Sequence, residues 1–338
     1  MAQAPIRVGV IGYGYWGPNL VRNFHLHDDA AVTMIADFDE KRLAQVRANY
    51  PAVRTVRDGK ELIHDPEVDA VSIATPIFTH FPLAKEALEA GKHVLIEKPM
   101  TQTADQSREL MALAKKHNRT LMVGHTFVYT GAVRKMRELI DSGELGSLYY
   151  FDSARFNLGL LQKDANVLWD LAPHDVSIMD AVMQGAVSVS ALGRAHLGTE
   201  VENIAYMTVM FANGAIAHFH VNWLAPVKVR TTLIGGSKKM IVYDDTEPSE
   251  KVKIYEKGVD VATDVEKVHR TMVQYRTGDM HAPKIDDTEA LFAVAKEFTD
   301  AIREKRPPLT DAHSGRRVVA VLEAANKSLA SEGRLVHL

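Results

Sequence analysis

The chain is 338 residues long, 46% hydrophobic and 25% charged, with a net charge of −3; this suits an ordinary globular protein with room for two domains. It has no cysteine, which excludes disulfides, thiolate catalysis and thiolate zinc sites. The charge leaves no footprint for nucleic acid, no apolar run nears the roughly 20 residues a bilayer needs, and Met1 to Pro5 is too short and polar for a signal peptide, so a cytoplasmic protein without nucleic-acid or membrane partners is expected.

Ile6 to Ile11 is a short apolar strand that runs into Gly12-Tyr13-Gly14-Tyr15-Trp16-Gly17. Leu20, Val21 and Phe24 then mark one face of a helix, and Pro18 is tolerated in its first turn. A second strand, Ala31 to Ala36, ends at Asp37. Strand, glycine turn, helix, strand and acid follow in the order a dinucleotide fold needs. Gly12 allows the tight turn, Gly14 lets the backbone approach a pyrophosphate, and Gly17 lets helix and strand pack closely. Backbone N–H groups at the helix start hold the negative charge. The Asp37 carboxylate suits two ribose hydroxyls and repels a 2′-phosphate, and Phe38 offers no cation, so NAD is favoured over NADP; Lys41 and Arg42 are the nearby cations.

The alternation continues. Helix Glu40 to Asn49, strand Val53 to Thr55 and a helical turn Gly59 to His64 lead to strand Ala70 to Ala74, which ends in Thr75-Pro76. A helix from Thr79 to Ala90 precedes strand His93 to Ile96, and a helix from Thr103 to His117 precedes strand Thr120 to Val123. Six strands with intervening helices predict a doubly wound parallel sheet, an α/β Rossmann domain over residues 1–125. The fifth strand closes on Glu97-Lys98-Pro99-Met100. Ligands sit beyond the carboxyl ends of such strands, so Lys98 is a candidate for chemistry; its other reading is an ion pair with Glu97.

Beyond residue 125 the pattern changes. A helix over Tyr129 to Ser142 leads into strands at Leu148 to Phe156 and Val187 to His196. Ile204 to Phe211 turns at Asn213-Gly214 into Ala215 to Leu224, and strands at Val227 to Ile234, Lys239 to Tyr243 and Val252 to Tyr255 follow. These predict an α+β domain, residues 126–338, with a large, mostly antiparallel open sheet for substrate binding and oligomerisation. Ala215, Ala217, Phe219, Val221 and Trp223 share one face; Ile216, His218, His220 and Asn222 share the other, with Lys228, Arg230 and Thr232 as polar partners. No carboxylate accompanies His218 and His220 on that strand, so a plain sheet face is expected there and no metal. Two amphipathic helices, through Leu291, Ala295, Phe298 and Ile302 and through Val318, Leu322, Ala325 and Leu329, close the chain; Asp286-x-x-Glu289 suggests a cap for the first.

Between the strands, Val167 to Asp175 opens a helix running to about Met183. Asp170 and His174 are four apart and share one face. Placed in the first turn, His174 is held neutral by the helix dipole and can take a proton, which a nearby carboxylate supports. The plainer reading is that Asp170 caps the helix and His174 fills space.

The glycine fingerprint, Ala74-Thr75-Pro76 with His80, Glu97-Lys98-Pro99 and Asp170-x-x-x-His174, in this order, resemble the glucose–fructose oxidoreductase/inositol dehydrogenase (Gfo/Idh/MocA) family over essentially the whole chain. Ile77 and Ala172 depart from the asparagine and glycine many members carry. The resemblance implies a nicotinamide-dependent enzyme that oxidises a sugar or cyclitol hydroxyl. Lys98, Asp170 and His174 are its implied catalytic residues and bind substrate at a single hydroxyl. Implied coenzyme contacts are Gly12, Gly14, Tyr15, Trp16, Gly17, Asp37, Thr75, Pro76, His80, Glu97 and Lys98. It also implies a cis peptide before Pro99 and a homodimer or homotetramer built through the open sheet, which fits a mixed His218/Arg230 face. Tyr15 to Asn19, Arg155-Phe156-Asn157-Leu158-Gly159 and the Trp169 segment are similar to members acting on nucleotide-linked sugars; Arg155 and Asn157 are candidate substrate contacts. The expectation is oxidation of the 3-OH of UDP-N-acetylglucosamine in surface-glycan or lipid A biosynthesis. Alternatives are an inositol or free-sugar dehydrogenase, an NAD-dependent glycosidase, or a non-catalytic NAD-binding regulator.

Overall fold

The computed structural model describes residues 4–158, 165–256, 258–261 and 273–338. The first part of the chain alternates strand and helix: β1 Ile6–Ile11, α1 Gly17–His25, β2 Ala30–Ala36, α2 Glu40–Asn49, β3 Arg54–Val56 and α3 Gly59–Ile63. It continues with β4 Ala70–Ile73, α4 Ile77–Glu89, β5 His93–Glu97, α5 Ala104–His117, β6 Leu121–Gly124 and a 3₁₀ turn at Thr126–Tyr129. Next come α6 Gly131–Asp141, β7 Leu148–Leu158, α7 Val167–Val182, β8 Ala186–Arg194, β9 Ile204–Phe211, β10 Ile216–Asn222 and β11 Leu224–Gly236. Strands β12 Met240–Asp244, β13 Val252–Tyr255, β14 Gly258–Val261, β15 Val273–Arg276 and β16 Met280–His281 precede α8 Ala290–Glu304, α9 Ala312–Leu329 and β17 Val336–His337. Among the described residues no helix is long and apolar enough to cross a membrane.

Contacts divide the chain into two units: Met1–Thr130 with Thr288–Glu323, and Gly131–Asp287 with Ala324–Leu338. In the first, six parallel strands lie in the order β3-β2-β1-β4-β5-β6. Every residue of β4 and β6 is buried, as a sheet covered on both faces requires. Side chains of Asp39, Asp58 and Thr103 accept from backbone N–H groups at the starts of α2, α3 and α5.

The expected break at residue 125 does not match this division, because α8 and most of α9 belong to the first unit. The reason is apolar burial: Phe298 of α8 meets Phe24 of α1 edge-on at 6.3 Å, and Leu291, Val294 and Ala295 are buried with it. The expected cap at the start of α8 also fails. Glu289 makes no capping bond and instead pairs with Arg22 and Asn23.

In the second unit, nine strands run β16-β13-β12-β11-β7-β10-β9-β8-β17. All neighbours are antiparallel except β7 and β10, which are parallel. A separate antiparallel pair joins β14 and β15. Ala217, Phe219 and Val221 of β10 are buried on the face that α7 covers. The opposite face carries His220 stacked on Tyr206 at 4.1 Å and against Phe156 at 4.2 Å. Arg230 is not on that face. Strand β7 lies between β10 and β11, His220 pairs with Ala154, and Arg230 pairs with Arg155 one position on, so the pleat sends His220 and Arg230 to opposite sides.

Candidate active site

In the first unit the glycine turn joins β1 to α1. Gly12 has φ +96°, and a Cβ there would lie 2.7 Å from the Ala74 carbonyl oxygen. A Cβ on Gly17 would lie 2.2 Å from the Gly12 oxygen. Helix α1 starts with no side-chain cap and no acid in its first turn, so no side chain competes with a phosphate at its positive end. Asp37, 8% exposed, accepts from the backbone N–H of Tyr13 at 2.7 Å and of Asp39 at 2.8 Å, and Arg42 Nη1 lies 3.3 Å away. Thus Asp37 fixes the glycine turn itself. Tyr15 is 86% exposed and packs edge-on against Trp16 at 5.5 Å. These features fit a dinucleotide: two positions only glycine can fill, an open helix start and an acid one strand away.

At the carboxyl end of β5, the Lys98–Pro99 peptide is cis, as expected. The Lys98 N–H points to Glu97 Oε2 at 3.3 Å. A Cβ on Gly124 of β6 would sit 3.0 Å from Glu97 Oε1, so glycine gives that carboxyl its place. Burial, opposed by the Lys98 charge, pushes the Glu97 carboxyl up to about 7. Thr75 Oγ1 shares a 2.6 Å hydrogen bond with Thr79 Oγ1. His80 does not fit its expected place among the coenzyme contacts. It is 1% exposed, and its ring nitrogens face the carbonyl oxygens of Pro99 and Thr75 at 2.9 and 2.8 Å.

Sequence reasoning missed His125, the residue after β6. It is 1% exposed, and neither ring nitrogen has a hydrogen-bond partner among the described residues. Burial and then the Lys98 charge push its pKa down to about 3, so the ring is neutral. The available signal was position: Glu97 pairs with Gly124, so His125 follows β6 as Lys98 follows β5.

In the second unit Asn166 caps α7 by accepting from the Trp169 N–H at 3.2 Å. Asp170 is therefore not the cap; its Oδ2 accepts from Trp223 Nε1 at 2.9 Å. Because α7 begins at Val167 and continues through Pro173, His174 lies about two turns in, beyond the reach of the helix start. The expected dipole effect on His174 is lost, while its shared face with Asp170 is kept. Arg155, expected to touch substrate, is 3% exposed and forms a bidentate pair with Asp175, both bonds 2.7 Å. Asn157 is half-buried near the end of β7, and Gly159 of the same motif lies outside the described residues.

Residues 6–125 match the model of an oxidoreductase family with an NAD-binding Rossmann fold, and residues 133–242 match the GFO/IDH/MocA C-terminal domain. An uncharacterised oxidoreductase of Escherichia coli K12 is 33% identical, covering 73% of each chain. UDP-N-acetylglucosamine 3-dehydrogenase of Acidithiobacillus ferrooxidans is 29% identical over 93% of this chain and 94% of its own, and its solved structure superposes with a TM-score of 0.82 at 25% identity, covering 97% of this chain and 99% of that one. Myo-inositol 2-dehydrogenase of Thermotoga maritima is 25% identical over 98% of each chain.

Proposed function

The chain belongs to the Gfo/Idh/MocA family of NAD-binding oxidoreductases, and from that premise we propose that it oxidises a ring hydroxyl of a nucleotide-linked sugar, the 3-OH of UDP-N-acetylglucosamine, to the ketone. The observation that carries this reading is the nearly end-to-end likeness to the A. ferrooxidans enzyme, joined to an Asp–His pair on one face of α7. The glycine turn and Asp37 hold the coenzyme. Bound NAD supplies the hydride acceptor. Lys98 donates a hydrogen bond to the reacting oxygen and stabilises the negative charge that develops there. His174 takes the hydroxyl proton, and Asp170 favours the cation that results. Further proposals are that Asn157 touches the sugar, that the protein acts in the cytoplasm, and that copies pair through the sheet face bearing Tyr206 and His220.

A second reading, inositol oxidation, is favoured by the likeness to myo-inositol 2-dehydrogenase. One screen separates them: UDP-sugars, free hexoses and inositols are each incubated with the protein and NAD, and NADH is followed at its absorbance band. Activity on UDP-N-acetylglucosamine is the expected result. Activity on inositols alone overturns the nucleotide-sugar reading.

A further inference from the structure

His80 lies in α4, buried, with one carbonyl oxygen against each ring nitrogen: Pro99 at Nδ1, 2.9 Å, and Thr75 at Nε2, 2.8 Å. A carbonyl oxygen only accepts, and a neutral imidazole has one N–H and one lone pair. With a neutral ring, one of these contacts would set two lone pairs against each other at hydrogen-bond distance. An imidazolium donates at both. We propose that His80 is a positioning residue that carries protons on both ring nitrogens and, by donating to Thr75 and Pro99 together, holds the Lys98–Pro99 segment in place against the turn after β4.

The forces on the ring oppose one another. Burial, the largest force, and the Lys98 charge push its pKa down, the two carbonyls push it up, and the balance lies on the lowered side. No carboxylate bonds the ring among the described residues; the charged group facing it is Lys98, at the end of β5, and its hydrogen-bond partners are both main-chain oxygens. Geometry decides, because the ring is clamped on both sides and cannot turn away from one acceptor without losing the other. The two ends of the clamp are informative. Thr75 follows β4, and Pro99 follows the residue assigned to the reacting oxygen.

The protonation state is read directly from the full chain carrying ¹⁵N-labelled histidine, in a long-range ¹H–¹⁵N spectrum at pH 7. The His80 signals are identified by their loss in His80→Gln, or by sequential assignment of the wild type if that variant does not fold. Two ring nitrogens of imidazolium type are expected. One protonated and one bare nitrogen overturn the proposal. The positioning role rests on the reading of Lys98 as catalytic and has its own measurement. His80→Gln has its N–H donors on one nitrogen only and cannot donate to both carbonyls as the ring does, so kcat is expected to fall on the order of 10–100-fold while the Kd for NADH changes by less than about threefold. An unchanged kcat refutes the positioning role. If Lys98→Met proves fully active, the catalytic reading of Lys98 fails instead, and the spectrum of His80 is unaffected by that failure.

Discussion

Trp223 Nε1 donates to Asp170 Oδ2 at 2.9 Å, tying the first turn of α7 to the residue that follows β10. Trp223 is itself buried, so the indole N–H cannot swing to water. The bond fixes the carboxylate four residues before His174 in a single orientation. Trp223→Phe keeps the apolar packing and removes the donor. We expect kcat to fall about tenfold, the worth of one hydrogen bond to a charged group, with the circular dichroism spectrum unchanged. An unaltered kcat would show that Asp170 needs no such support.

Lys98→Met keeps the length of the side chain and deletes its charge and hydrogen bonds. Turnover should drop on the order of 10²–10³-fold, the usual contribution of a donor that stabilises a developing oxyanion. The Kd for NADH, followed by fluorescence titration, should stay within about threefold, since the glycine turn and Asp37 lie on other strands. Retained turnover would remove Lys98 from the mechanism.

Asp37 accepts from Tyr13 and Asp39, and it is the acceptor we propose for the ribose. In Asp37→Ala both tasks are lost. The affinity for NADH should weaken by about 1.5–3 kcal/mol, roughly 10–150-fold, measured by calorimetry. A smaller loss for NADPH than for NADH is expected from the same variant, because the like-charge repulsion is also gone.

The Arg155–Asp175 pair is a stability element. Removing one partner leaves a buried charge uncompensated, so Asp175→Ala should cost about 3–5 kcal/mol in urea unfolding. Replacing both partners by apolar residues, Arg155→Met with Asp175→Leu, should recover most of that loss. If the single and double variants are equally unstable, the pair is not the source of the effect.

The Glu97 carboxyl gives a pH dependence with a definite sign. Its ordinary value of 4.5 is raised to about 7 in the folded protein. The folded state therefore holds the proton more tightly, and this stabilisation is complete below 4.5 and lost as pH rises through about 7. Urea midpoints measured from pH 4 to pH 9 should fall across that window. Glu97→Gln should flatten the curve there; an unchanged slope would assign the effect to another group.

Local features were legible because their causes are local. Gly12 and Gly17 are dictated by the tightness of one turn, and Asp37 by its place at the end of the next strand. The spacing of Asp170 and His174 puts them on one helical face whatever surrounds the helix. Arg155 misled because its partner Asp175 lies 20 residues on, reached only when α7 packs against β7. Arg230 misled for a similar reason: its facing direction depends on β7 being inserted between β10 and β11.

The sequence by itself determined the dinucleotide fold, the parallel sheet, the coenzyme and the residue types available for proton transfer, because periodicity, glycine spacing and strand ends act over a few neighbouring residues. Tertiary structure alone decided that α8 packs with α1, that His80 is sealed between two carbonyls and that His125 is buried beyond β6. It also decided that Arg155 spans to Asp175 and leaves no guanidinium at the surface there. Each of these is a matter of which distant segment fills the space beside a residue. Burial sets both the pKa of a group and its need for a partner, and the order of residues along the chain does not encode burial at any single position.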